Sequence, residues 1–365
     1  MRRILSLMLA AAFTLSACDN KKDTTADNND KPTIKIGAVL PLSGNSAFAG
    51  IAARAGLEMI LDKEKAKGLK YDYKLIFEDN AAESMKAANS TNKLIHVDKV
   101  DALLSIWHPV SGVMANIANK NKITSMSCSW ADDTLIGDYS FNAIATHEDT
   151  VDLLIKELKK NNVRKVATLM DPAGEPSFRV MKEKFPQAGI ELVYSEFVNY
   201  GQRDYKMEIT KANDRKPDMY IIAGFPPLHV IFTKQLNEIT GRNNVTGVDA
   251  FSDMSEEERR MVEGLWYIDS NVNGNEQFAK DILKEKGVHT ESCAGNTATN
   301  LQILINAFEN APLQGDEIIP ASESVVKYIK SNIVNFDTVS DKVTVSEDGL
   351  IDIKPHVRTD RKSVV

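Results

Sequence analysis

The chain has 365 residues, with 44 basic against 51 acidic side chains, a formal net charge of −7, six histidines and three cysteines. That length makes two cores the default expectation, and the acidic balance excludes nucleic acid or another phosphate-rich polymer as a partner. The histidines are scattered without a His-x-x-x-His pair and no two cysteines have Cys-x-x-Cys spacing, so neither a metal nor a cofactor is expected.

Residues 1–17 read as an export leader. Arg2 and Arg3 precede an apolar run over 4–13, and Leu15, Ser16 and Ala17 lead into Cys18. This is the charged, apolar and small-residue order of a signal peptide, and the run is too short to span a bilayer. The Leu-Ser-Ala-Cys quartet resembles the bacterial lipobox, which implies lipidation of Cys18 after cleavage. Asp19 resembles the residue that keeps such lipoproteins on the periplasmic face of the inner membrane in Gram-negative cells. Residues 18–32 are then a lipidated cysteine and a tether, too polar to nucleate a core. As a flexible coil they hold the body about 20 Å from the membrane.

From residue 33, short apolar runs alternate with longer amphipathic stretches, the pattern of a parallel sheet covered by helices. Strands are predicted over 33–39, 73–77, 101–106 and 123–126, and helices over 50–65, 81–97 and 111–119. In the first helix Ile51, Ala55 and Met59 form one stripe and Ala52, Gly56 and Ile60 the next, so one face is buried. Units of this kind build a doubly wound domain. The pattern then restarts, with helices over 151–160, 177–185, 204–213 and 227–239 and strands over 163–170, 190–197, 219–223 and 245–248. A long helix over 298–310 follows. Two short strands, 342–345 and 350–353, joined by a Glu347-Asp348-Gly349 turn, close the chain. The remaining cysteines, Cys128 and Cys293, are able to form one disulfide in an oxidising compartment, but nothing in the sequence brings them together, and two buried free thiols are the favoured reading.

The segment Ile-Gly-Ala-Val-Leu-Pro-Leu-Ser-Gly (36–44), the helix from Gly50 containing Gly56, Phe77-Glu78-Asp79-Asn80, and Val248 to Asp253 ahead of Glu263-Gly264-Leu265 together resemble the leucine/isoleucine/valine-type solute-binding proteins. These are the type I receptors of bacterial ABC importers. The resemblance implies an α/β fold of two Rossmann-like doubly wound lobes joined by a three-crossover hinge. Lobe 1 is then 33–147 plus 275–343, and lobe 2 is 148–274 plus 344–365.

Open α/β sheets bind ligands beyond the carboxyl ends of their strands, which directs attention to the loops at 42–49, 107–111, 127–132, 171–177, 224–227 and 249–253. Ser43, Ser46, Ser127 and Ser129 offer hydroxyls there beside helix N-termini suited to a carboxylate, although a serine in such a place also serves as an ordinary helix cap. Phe48 belongs to the opening loop. Trp107, Trp130 and Phe225 are candidates for an aromatic wall that takes a larger, flatter or cationic group, with core packing as the alternative. Glu175, His108 and Asp253 are further polar candidates, otherwise solvated loop residues. The family resemblance implies that hydroxyls after the third and fourth strands hold an α-carboxylate. This chain departs from that pattern. Its third-strand loop reads Trp107-His108-Pro109-Val110-Ser111, with proline where that family often has serine, and its fourth-strand loop, Ser127-Cys128-Ser129-Trp130, adds an indole. The same resemblance makes Phe225 a lid and Asp249 the partner of a ligand amine.

No Gly-x-Ser-x-Gly elbow, His-Glu-x-x-His or phosphate loop is present in the sequence, so an enzyme is not expected. The expected function is a monomeric, membrane-tethered receptor that closes on an amino acid or related small carboxylate or amine and docks on an ABC permease. A sensing or regulatory lipoprotein of the same fold is the alternative.

Overall fold

The computed structural model describes residues 31–130, 134–224, 228–249, 251, 260, 262–270, 273–290 and 293–359. Cys18, the leader, the tether as far as residue 30, Asp253 and Phe225 lie outside the described residues. The chain separates into Met1–Lys31 and a compact unit, Pro32–Val365, that holds every element below.

The first run of elements is β1 (Thr33–Leu40), α1 (Ala47–Lys65), β2 (Asp72–Asp79), α2 (Ser84–Lys93), β3 (Ala102–Ile106), α3 (Val110–Lys120), β4 (Thr124–Cys128) and β5 (Ser140–Ile144). The second is α4 (His147–Lys160), β6 (Lys165–Met170), α5 (Glu175–Ala188), β7 (Glu191–Phe197), α6 (Lys206–Asn213), β8 (Met219–Ala223), α7 (Leu228–Thr240), β9 (Val245–Val248) and β10 (Trp266–Asp269). The chain returns through α8 (Glu276–Lys286), α9 (Ala294–Asn310), α10 (Ser322–Asn332), β11 (Phe336–Thr338) and β12 (Asp341–Val343). It ends in β13 (Leu350–Asp352) and β14 (His356–Thr359).

Two six-stranded sheets result, with matching orders β13-β5-β4-β3-β1-β2 and β14-β10-β9-β8-β6-β7. All neighbours run parallel except β14, which pairs antiparallel with β10. Each sheet is covered on both faces, so its inner strands, such as β3, β4 and β9, are buried along their whole length, while the edge strands β2, β7 and β14 stay partly exposed. In the first lobe Leu104, Ile106 and Met126 pack under α1, α8, α9 and α10, whereas Val39 and Leu103 face α3. In the second, Leu169 and Ile222 face α6 and α7 while Met170 and Ile221 face α4 and α5. Complete burial of a side chain such as Leu57 or Ile60 contributes roughly 1.5–3 kcal/mol. This is the two-lobed α/β fold expected of a type I periplasmic binding protein.

Three expectations are corrected. Ile51 is 47% exposed, so it falls outside the buried face of α1, which runs through Ala49, Ala52, Ala53, Gly56 and Ile60. Cys128 and Cys293 are joined in a disulfide rather than held as free thiols, because α9 starts directly over the end of β4. The final return to lobe 2 does not occur at residue 344. β12 pairs with β11 rather than with the next strand, and β13 lies parallel to β5 in the first sheet, so only β14 reaches the second. The Glu347-Asp348-Gly349 turn is present and is closed by an isolated antiparallel bridge between Val345 and Ile351.

Candidate functional site

Three short crossovers connect the lobes. Residues 145–146 lead from β5 to α4, residues 270–275 from β10 to α8, and residues 353–355 from β13 to β14. Each leaves from the carboxyl end of a parallel strand, which sets the carboxyl edges of both sheets beside the hinge and makes the space between them the cleft. Polar ties brace the hinge here. His356 Nε2 lies 3.1 Å from Asp341 Oδ2, Lys354 Nζ 3.3 Å from Asp149 Oδ2, and Arg358 pairs with Asp269 while donating to the Gly274 carbonyl at 3.0 Å.

On the first lobe, Asp79 organises the opening loop. Its Oδ1 accepts from the backbone N–H groups of Leu42, Ser43 and Ala81 at 2.8, 3.2 and 2.8 Å. Burial alone would raise its pKa, but the Ser43 hydroxyl and these N–H groups outweigh it and hold the carboxyl below the ordinary range. Ser43 is therefore committed to Asp79. Ser46 starts α1 without a side-chain cap.

The structure brings Phe48 and Trp107 together, with ring centroids 5.8 Å apart in an edge-to-face arrangement. Trp107 has a φ of 68° and is held on both sides, its N–H donating to the Cys128 carbonyl at 2.8 Å and its carbonyl accepting from Ser111 N at 2.9 Å. The indole N–H is buried and meets no acceptor among the described residues. His108 and Pro109 follow as exposed residues across a cis peptide bond, and Trp130 packs with Trp107 against the first core.

The other serines lie deeper. Register places Val39, Ser105, Ser127 and Asn142 in one row across β1, β3, β4 and β5, on the sheet face that α3 covers. Ser111 is buried in that interface and its hydroxyl meets Ser105 at 2.7 Å. The Ser127 hydroxyl, also buried, has no partner among the described residues. Ser129 is held through its backbone, since Asn142 accepts from its N–H at 3.0 Å and donates to its carbonyl at 2.8 Å.

On the second lobe, Asp249 ends β9 with φ at 52° and both its oxygens accept from Ser270, from the N–H and the hydroxyl, each at 2.7 Å. Glu175 opens α5 on its exposed flank and pairs with Arg179 at 3.2 Å. Asp171, at the end of β6, is 2% exposed and caps the next turn by accepting from Ala173 N at 2.8 Å. Burial first, then the Asp171 charge, pushes the Tyr205 hydroxyl up to about 12. Asp79 and Asp171, read only as part of a family segment and as the first residue of a cleft loop, and Asn142 were not among the candidate site residues. The first two carried a legible signal, an acid at a strand end ahead of a helix, whereas Asn142 carried none. Among the described residues no cluster of three His, Cys, Asp or Glu side chains is placed to hold a metal, and no helix is long and apolar enough to cross a membrane.

The family model described as periplasmic binding protein matches residues 33–350. A leucine/isoleucine/valine-binding protein, BraC3 of Rhizobium johnstonii, is 22% identical over 342 residues, covering 87% of this chain and 88% of its own. Among solved structures, the branched-chain amino acid transporter substrate-binding protein LivJ of Streptococcus pneumoniae, in complex with isoleucine, superimposes with a TM-score of 0.75 at 19% identity, covering 90% of this chain and 96% of its own. An ABC transporter solute-binding protein of R. palustris in complex with benzoate gives 0.74 at 18% identity, covering 90% of this chain and 94% of its own. With the fold, the hinge and a family match over nearly all of the described body, the chain belongs to the periplasmic binding proteins, in their type I, leucine/isoleucine/valine-binding-protein-like form.

Proposed function

We propose that this protein is an extracytoplasmic receptor, tethered to the membrane through Cys18, that captures a small carboxylate or amine by closing its lobes and hands it to an ABC permease. The observation that carries this reading is the pair of sheets of identical strand order whose carboxyl edges meet at three short crossovers. Such a hinge permits rigid-body closure around a ligand. Relatives that bind isoleucine and benzoate bracket the size and charge of the ligand. The cleft walls described above carry binding groups, and the protein works as a binder rather than an enzyme.

Mass spectrometry of solutes released by denaturing the purified protein identifies the ligand. That ligand at a hundred times its dissociation constant should add about 2.7 kcal/mol of stability, and solution scattering should show a smaller radius with it bound. An unchanged radius on saturation sinks the closure mechanism. Cys18→Ser should shift the protein from the membrane fraction to the soluble periplasmic fraction, and retention after a salt wash would exclude the anchor.

A further inference from the structure

We infer that the cleft selects a ligand built on a flat ring and bearing a carboxylate, an aromatic acid rather than an aliphatic amino acid; this rests on the receptor reading above. The first sheet reverses its strand order between β1 and β3, and the chain leaving those two strands carries Phe48, in the first turn of α1, and Trp107, in the loop after β3. A bulky residue with positive φ is an outlier, and outliers of that kind concentrate where a site needs a fixed geometry. Trp107 is such a residue, and the hydrogen bonds on both its peptide groups fix the direction in which the indole leaves the chain.

Phe48 meets this indole at 5.8 Å with planes 60° apart, yet 45% of Phe48 stays exposed. Two rings set at an angle with one face uncovered accept a third ring by repeating the edge-to-face contact, a gain that a branched aliphatic side chain does not make. The indole N–H, buried and without an acceptor among the described residues, is the kind of donor that a ligand oxygen satisfies. On the opposite wall both oxygens of Asp249 accept from Ser270 at the second crossover.

The test is calorimetry on the full-length protein, cleared of co-purified solute, with benzoate, 4-hydroxybenzoate and phenylacetate against L-leucine, L-isoleucine and L-valine. At least one ring acid should bind tenfold or more tightly than every aliphatic amino acid. Phe48→Leu, a change at a half-exposed position that leaves the core intact, should weaken that acid about tenfold. Trp107→Phe, which keeps a ring but removes the donor, should weaken it while abolishing the change in tryptophan fluorescence on binding. An aliphatic amino acid that outbinds every ring acid, or no ring acid binding at all, overturns the inference. Scattering separates this from the receptor reading, because a ring acid that binds without compaction defeats closure alone, whereas an amino acid that outbinds every ring acid and compacts the protein defeats the ring alone.

Discussion

At the end of β2 a single carboxylate accepts three backbone N–H groups and a hydroxyl, and in doing so fixes the loop that carries Ser43 and leads into Phe48. Because the folded-state pKa of Asp79 lies below its unfolded value of about 3.9, the stabilisation is present above that value and is lost as pH falls through the lowered one. Asp79→Ala should cost about 1–2 kcal/mol at pH 7, a modest figure because the group is exposed. Thermal unfolding of parent and variant at pH 7 and pH 3 checks it, and a gap of the same size at both pH values would mean that charge plays no part. The serines teach the complementary lesson. Residue type and strand-end position made Ser111 and Ser127 candidates, but only the register and the Ser105–Ser111 contact show that Ser127 faces α3 behind the sheet and that Ser111, on α3, faces the sheet. Which side of a fully buried strand a hydroxyl occupies is not written in an apolar run that lacks alternation.

Among the elements, those with long periodic or apolar runs were legible, and β8 and β9 were read to the residue. β5 escaped because Ser140 and Asn142 interrupt its apolar run. Both are buried, and Asn142 spends its amide on the Ser129 peptide. α8 escaped because it buries only Phe278 and Ile282, too few positions for a periodic signal. The crossovers were implied by family resemblance alone, since their packing is made by residues far apart in sequence. At one of them α9 lies so close to the chain that a Cβ on Gly295 would come within 1.9 Å of Gly274 N. Gly295→Ala must therefore push α9 away from the second crossover, at a cost of about 1–3 kcal/mol for overpacking. A lowered melting temperature with a changed apo radius by scattering is expected, and an unaltered radius would show that α9 moves without disturbing the hinge.

Taken as a whole, the molecule is drawn together by its last described stretch. β13 and β14 are separated by only residues 353–355, yet one edges the first sheet and the other the second. A chain ending at Gly349 should lose amide-exchange protection along β5 and β10 together, and loss confined to one of them would show that the lobes are finished independently. The wider consequence concerns biogenesis. A polypeptide delivered from its N-terminus can complete neither sheet while residues 350–359 are still to come, so the same ten residues finish both lobes together rather than one after the other.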